Sequence, residues 1–249
     1  MLILIIPDVH LKPDIFLRAD YILRSGQAEM AVCLGDLVDD YPKADENDLQ
    51  PADAFIDINV TAEHIYDTFD VFEDFSDHHK LLYCWGDHDA AYFWDKPMNI
   101  KTESMQSEIC KSFNQIIDKS PEGRFAFMHR IDNILFSHAG LAMDFITGTL
   151  KMRGRRLEDI MSKVNEGDPE KLWNPMSPLL LRPQWNGDEM YSANKIMQVF
   201  GHTPTADIWT YKNCLSADVF TKAPFQLQES CGKFVILDSH TGNYTYAAG

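Results

Sequence analysis

Five short apolar runs in this chain end in potential metal ligands, three of them in clusters of ionisable side chains, where a buried strand ordinarily closes in one solvated turn residue. LILIIP runs into Asp8-Val9-His10, MAVCL into Gly35-Asp36-Leu37-Val38-Asp39, and LLYCW into Gly86-Asp87-His88-Asp89. Further on, NILF meets Ser137-His138-Ala139-Gly140 and MQVF meets Gly201-His202-Thr203-Pro204. In an α/β sheet, sites form outside the carboxyl ends of the strands, so residues from Asp8 to His202 can converge although most of the chain separates them. The pattern predicts an α/β fold.

The segments between these runs support that class. LILII (2–6) and MAVCL (30–34) flank a helical stretch beginning near Asp14, and LLYCW (81–85) follows a helix expected from about Asn59 to Phe75. After Val60, the residues Ile65, Phe69 and Phe72 recur there at a four and a three, the spacing of one helix face. The order is βαβαβ. The acidic stretch YPKADENDLQPADAFID, with two prolines, reads as a surface loop, and 102–118 as a further helix. RFAFMHR and NILFSHAG read as two strands joined at Ile131-Asp132-Asn133, and 155–166 as a helix. The four prolines of 166–188 predict an irregular segment, long enough to be functional. From Lys195, KIMQVFG, DIWTY, CLSADVF, KFVILD and NYTYAA read as five short strands.

At 249 residues and 45% apolar content the chain can bury a core as one domain, 1–249. A net charge of −16 disfavours nucleic acid as a partner, because phosphate neutralisation needs clustered Lys and Arg. KMRGRR (151–156) reads as a solvated helix start. Cys33, Cys84, Cys110, Cys214 and Cys231 are odd in number and form no CxxC pair, which suits a reducing compartment. MLILIIPDVH lacks a basic flank and a cleavage site, so it reads as a buried strand, and no apolar run approaches the roughly 18 residues of a membrane span. A soluble, cytoplasmic protein with no membrane partner is expected.

Carboxylates mixed with imidazoles, with no thiolate among them, suit Mn, Fe or Zn in a catalytic site. Asp8 and His10 are two apart, so on an extended chain they point the same way and can grip one ion. Two such ions roughly 3.5 to 4 Å apart need a bridging carboxylate, and a bridging water that loses its proton near neutral pH can attack phosphorus in line. Singly, each cluster has an ordinary explanation: a turn, a hydrogen-bonded histidine, or Asp39 as a helix cap. Their recurrence at successive strand ends points to phosphoester hydrolysis.

PDVH, GDLVD, GDHD, SHAGL and GHTPT, in this order, resemble the calcineurin-like metallophosphoesterase superfamily, with its series D-x-H, G-D-x-x-D, G-N-H-[DE], H and G-H. The resemblance implies two packed mixed β-sheets flanked by helices. It implies that Asp8 and His10 hold the first metal, Asp36 bridges, and Asp87, His138 and His202 complete the second. His88 would be the general acid, Asp39 would orient its imidazole, and Asp89 would be structural. GHTPT with SHAGL is closest to the phosphoprotein phosphatase and diadenosine tetraphosphatase-like branch, since Pro204 stands where phosphodiesterase-like members carry a second histidine. That branch places an arginine after an L-L-W-like run, and SPLLLRPQW offers Arg182 to bind substrate phosphate, or as a surface arginine on a Pro-rich loop.

Two departures stand out. Asp40 and Tyr41 occupy the place of a phosphate-gripping Arg-Gly, leaving Arg153, Arg155 or Arg156 as substitutes, and Asp87 replaces the usual Asn. The expected activity is metal-dependent hydrolysis of a phosphomonoester: a phosphoprotein, a dinucleoside polyphosphate or a small phosphometabolite. The alternatives are a phosphodiesterase or nuclease of the same superfamily, and a noncatalytic protein-binding scaffold on the same fold.

Overall fold

The computed structural model describes residues 1–39, 60–98, 102–192, 196–205, 207–220 and 232–247. β1 (Leu2–Ile6), α1 (Asp14–Arg24), β2 (Met30–Cys33), α2 (Ala62–His78) and β3 (Leu81–Cys84) follow the βαβαβ order of the apolar runs. α3 (Asp87–Phe93), α4 (Gln106–Lys119), β4 (Phe125–Ala126), β5 (Met128–Ile131) and β6 (Ile134–Ser137) come next. α5 (Leu157–Asn165), α6 (Pro169–Leu172) and α7 (Pro183–Asn186) precede β7 (Met197–Phe200), β8 (Trp209–Tyr211), β9 (Cys214–Ser216), β10 (Phe234–Asp238) and β11 (Tyr244–Ala247).

One sheet has the order β11-β10-β1-β2-β3-β4 and the other β5-β6-β7-β9-β8. β1 to β4 are parallel, so their carboxyl ends share one edge, while β10 and β11 are antiparallel additions. In the second sheet β6, β7 and β9 are parallel, with β5 and β8 antiparallel at the borders. Both sheets are mixed. The two-residue alternation of β1 sorts its side chains between layers. Ile3 and Ile5 join Phe136, Val199 and Leu215 in the core between the sheets, whereas Leu4 and Ile6 join Phe16, Phe69 and Phe72 under the helices. On the far face of the second sheet Leu135 packs with Phe145, Leu157 and Ile160. The result is a helix–sheet–sheet–helix sandwich in which each fully buried large apolar side chain contributes about 1.5–3 kcal/mol.

The structure departs from the sequence reading in places. α2 begins at Ala62 because Thr61 caps it: the Thr61 hydroxyl accepts the His64 N–H, and His64 Nδ1 accepts the Thr61 N–H, each at 3.4 Å. RFAFMHR is two strands: Phe125–Ala126 pairs with β3, and Met128–Ile131 pairs with β6 in the other sheet. The crossing falls at Phe127, whose ring stacks on Trp94 at 5.4 Å. A continuous apolar run carries no mark of a change of sheet. The segment 166–188 includes α6 and α7, each opened by a proline at its first turn. The acidic loop with Asp40 and Tyr41, and Cys231, lie outside the described residues. Among the described residues no helix is long and apolar enough to cross a membrane.

Candidate metal centre

After β1 the chain turns over the sheet edge, and the N–H groups of Val9 and His10 both donate to the Asp36 carbonyl (3.0 and 2.7 Å). This ties the loop after β1 to the loop after β2. His10, Asp36, Asp39 and His202 have φ of 48°, 51°, 62° and 66°, a left-handed region that costs a non-glycine residue about 1–3 kcal/mol. Asp8 and His10 therefore meet through a turn and not, as the sequence suggested, through an extended chain. Two glycines make room. A Cβ on Gly86 would fall on the Asp36 carboxylate, and one on Gly201 would fall on Asp8 Oδ1.

These loops bring together two groups of possible ligands: Asp8, His10 and Asp36 in one, and Asp36, Asp87, His138 and His202 in the other, each with ligand atoms within 4.8 Å of one another. Asp36 belongs to both. Its Oδ1 accepts the His88 main-chain N–H at 3.0 Å, which leaves Oδ2 at 3.8 Å from His10 Nε2 and 3.3 Å from His138 Nε2. The histidines are oriented from behind. His10 Nδ1 donates to the carbonyls of Val38 and Asp39 (3.2 and 3.0 Å), and His138 Nδ1 donates to that of Leu34 (2.7 Å), so each turns its Nε2 toward the cluster. His202 turns Nδ1 to Asp87 Oδ1 at 3.1 Å, and its Nε2 has no hydrogen-bond partner among the described residues. The His202 N–H donates to both Asp8 oxygens (3.2 and 3.0 Å).

Every one of these side chains is at most 6% exposed, which makes their charges costly unless something opposes them. Burial lowers His10 to about 3, so that ring is neutral, as a ligand must be. Burial raises Asp8 well above the usual carboxylate range, and the neighbouring buried Asp218 pushes it the same way. Burial also disfavours the charge on Asp87, but His202 and His88 beside it hold it well below that range. Burial raises the Cys84 thiol to about 12, so it stays protonated and offers no thiolate. Buried oxygen and imidazole donors grouped around a shared carboxylate fit a pair of divalent transition ions.

Beside this cluster the His88 Nδ1 lies 2.8 Å from Asp39 Oδ2. Burial pulls the His88 pKa down, but Asp36, Asp87 and Asp39 outweigh it and raise it to about 10. Asp89 takes its own role: it accepts the N–H groups of Gly86, Asp36 and Leu37 (3.1, 3.0 and 2.9 Å) and the Tyr83 hydroxyl (2.7 Å). It binds the loop after β2 to the start of α3.

The sequence model described as calcineurin-like phosphoesterase matches residues 1–231. The chain belongs to that family. No curated protein matches this phosphoesterase in sequence. Among solved structures it is similar to a cold-active protein tyrosine phosphatase at 14% identity and a TM-score of 0.56, covering 98% of this chain and 78% of that one. It is likewise similar to the cold-active protein-tyrosine phosphatase of a psychrophile, Shewanella sp., at 13% identity and a TM-score of 0.54, covering 99% and 80%. At such identities the likeness is one of fold.

Arg182 of the phosphoesterase stands at the rim of the centre. Its Nη1 is 3.5 Å from the His202 carbonyl and from Thr203 Oγ1, the outer limit of a hydrogen bond, and its guanidinium lies 4.8 Å over the Trp185 ring. Arg153, Arg155 and Arg156 are exposed before α5, and Arg156 pairs with Asp159 at 3.0 Å. Sequence reading missed Tyr92, Thr102 and Tyr83, which hold the carboxylates of Asp39 and Asp89. Only Tyr92 carried a signal: it sits four residues after His88 in α3, on the same helix face.

Proposed function

We propose that this phosphoesterase, as one domain over residues 1–249, hydrolyses phosphomonoesters at a two-ion centre. The ligands are Asp8, His10, Asp36, Asp87, His138 and His202. The observation that supports this reading most is the sharing of Asp36 between two oxygen-and-imidazole groups, with the His88–Asp39 pair beside them. Manganese, iron or zinc bound there would activate a water and take up charge on the phosphoryl oxygens.

The chain's own residues do the rest. The His88 N–H fixes the bridging carboxylate, and Asp39 holds the His88 ring so that Nε2 delivers its proton to the leaving oxygen. Proton donation of this kind is worth roughly 10²–10⁴ in rate. Arg182 offers a fork of donors to the phosphate dianion. GHTPT, with Pro204, favours the phosphoprotein phosphatase and diadenosine tetraphosphatase-like branch, and phosphoproteins, dinucleoside polyphosphates or small phosphometabolites as substrates. Cys33, Cys84 and Cys214 are free thiols, in keeping with the cytoplasm.

The test is turnover of p-nitrophenyl phosphate beside bis-p-nitrophenyl phosphate by protein stripped of metal and reloaded with Mn, Fe(II) or Zn. Metal-dependent preference for the monoester is expected. Preference for the diester would move the protein to the phosphodiesterases. No turnover of either, with metal bound, would favour a scaffold.

A further inference from the structure

The Asp39 carboxylate is held on both sides. Oδ2 accepts from His88, and Oδ1 accepts the Tyr92 hydroxyl together with the main-chain N–H and the hydroxyl of Thr102, both at 3.3 Å. The Thr102 N–H also lies 2.8 Å from the Tyr92 oxygen, so the two donors brace one another. Asp39 is fully buried and Tyr92 is 1% exposed. A buried carboxylate is sensitive to each donor it has, because a lost one is not replaced by water. The left-handed backbone at Asp39 adds that its side-chain direction rests on these partners more than on a relaxed local conformation.

We propose that Tyr92 is a positioning residue for proton donation by His88. Its hydroxyl, braced by Thr102, fixes Oδ1 of Asp39, which fixes Oδ2 against His88 Nδ1 and so sets the plane in which His88 Nε2 faces the leaving oxygen. As the bond from phosphorus to the leaving oxygen breaks, the Nε2 proton moves to that oxygen; the ring is left neutral, still donating from Nδ1 to Asp39, and regains a proton from solvent. The inference rests on the proposed role of His88.

The test compares the metal-loaded wild type with Tyr92→Phe, His88→Asn and the double variant on p-nitrophenyl, phenyl and alkyl phosphates, with metal content measured for each. His88→Asn should keep its metal and lose most turnover on the poor leaving groups. Tyr92→Phe should lower kcat for phenyl and alkyl phosphate by about tenfold, within the range a general acid supplies, with p-nitrophenyl phosphate, KM and metal content unchanged. The effect should vanish in the His88→Asn background. In metal-free protein carrying ¹⁵N-histidine, Tyr92→Phe should move the His88 Nδ1–H resonance. Equal slowing of all three esters, or an effect undiminished in the double variant, overturns the proposal. If His88→Asn shows no dependence on the leaving group, the role of His88 falls; if it does and Tyr92→Phe behaves as wild type, only the role of Tyr92 falls. Thr102→Val removes a donor to the same oxygen without touching α3 and should show the same selectivity, so the proposal remains open to refutation if Tyr92→Phe does not fold.

Discussion

Position 87 carries a full negative charge where an amide would offer an oxygen without one. Asp87 Oδ1 is 2.9 Å from His138 Nε2 and 3.1 Å from His202 Nδ1, so the same atom addresses both imidazoles of the second ligand group. With Asp8 and Asp36 it would set three carboxylates against the two divalent ions proposed for this centre. Asp87→Asn should weaken metal affinity by about tenfold or more while lowering KM for a phosphate dianion, because the site becomes more positive. Titration calorimetry with Mn and steady-state kinetics would check both, and no change in either would refute the charge argument. His88 and His10 respond to pH in opposite senses. In chelator-treated protein His88 should stay protonated until pH approaches about 10, and His10 should stay neutral down to about 3. The raised pKa of His88 contributes stability that is complete below its unfolded value near 6.5 and fades as pH rises through about 10. For His10 the sign reverses, and stability fades as pH falls from near 6.5 toward about 3. Histidine Cε1–H resonances followed over that range would report each group.

Among the elements, β3 and α3 carry the heaviest duty, because one strand end, one glycine and one short helix place Asp87, His88, Asp89 and Tyr92. Tyr83 of β3 links them to the loop after β2: its hydroxyl donates to Asp89 and accepts the Leu37 N–H at 3.1 Å. Tyr83→Phe should cost about 1–3 kcal/mol, the usual penalty for an unsatisfied buried group, read by urea denaturation of the metal-free protein. Behind Tyr83, Phe72 of α2 meets its ring edge to face at 5.5 Å and meets Phe16 of α1 at 5.2 Å. Phe72→Ala should cost about 3–5 kcal/mol, since transfer and cavity penalties add. At this scale the sequence was readable where a helical period survived, as in α2, or where a short apolar run stood alone, as in β1. It was not readable at 125–131, where the change of sheet falls at Phe127, inside the unbroken apolar run from Phe125 to Met128. The left-handed turns at His10, Asp36, Asp39 and His202 were hidden too, because histidine and aspartate do not announce positive φ as glycine does.

For the whole molecule, the convergence of strand ends was legible because parallel strands must place their carboxyl ends together. The braces behind the site were not, apart from the four-residue spacing of Tyr92 from His88, because Thr102 and Tyr83 act only through contacts made after folding. Ions that bind the native centre and not the unfolded chain stabilise by mass action, about 2.7 kcal/mol at a hundredfold excess over Kd. For a chain of this length that is on the order of 5–10 °C in Tm, and EDTA should lower the melting temperature accordingly; equal transitions with and without chelator would argue against a bound pair. The proposed ligands are divided between the layers. Asp8, His10, Asp36 and Asp87 follow strands of the first sheet, while His138 and His202 follow strands of the second. A pair of ions held between them would act as a rivet through the sandwich, so that releasing metal and loosening the two layers at that edge would become one kinetic event. The lifetime of the bound ions would then set how often that edge of the protein loosens.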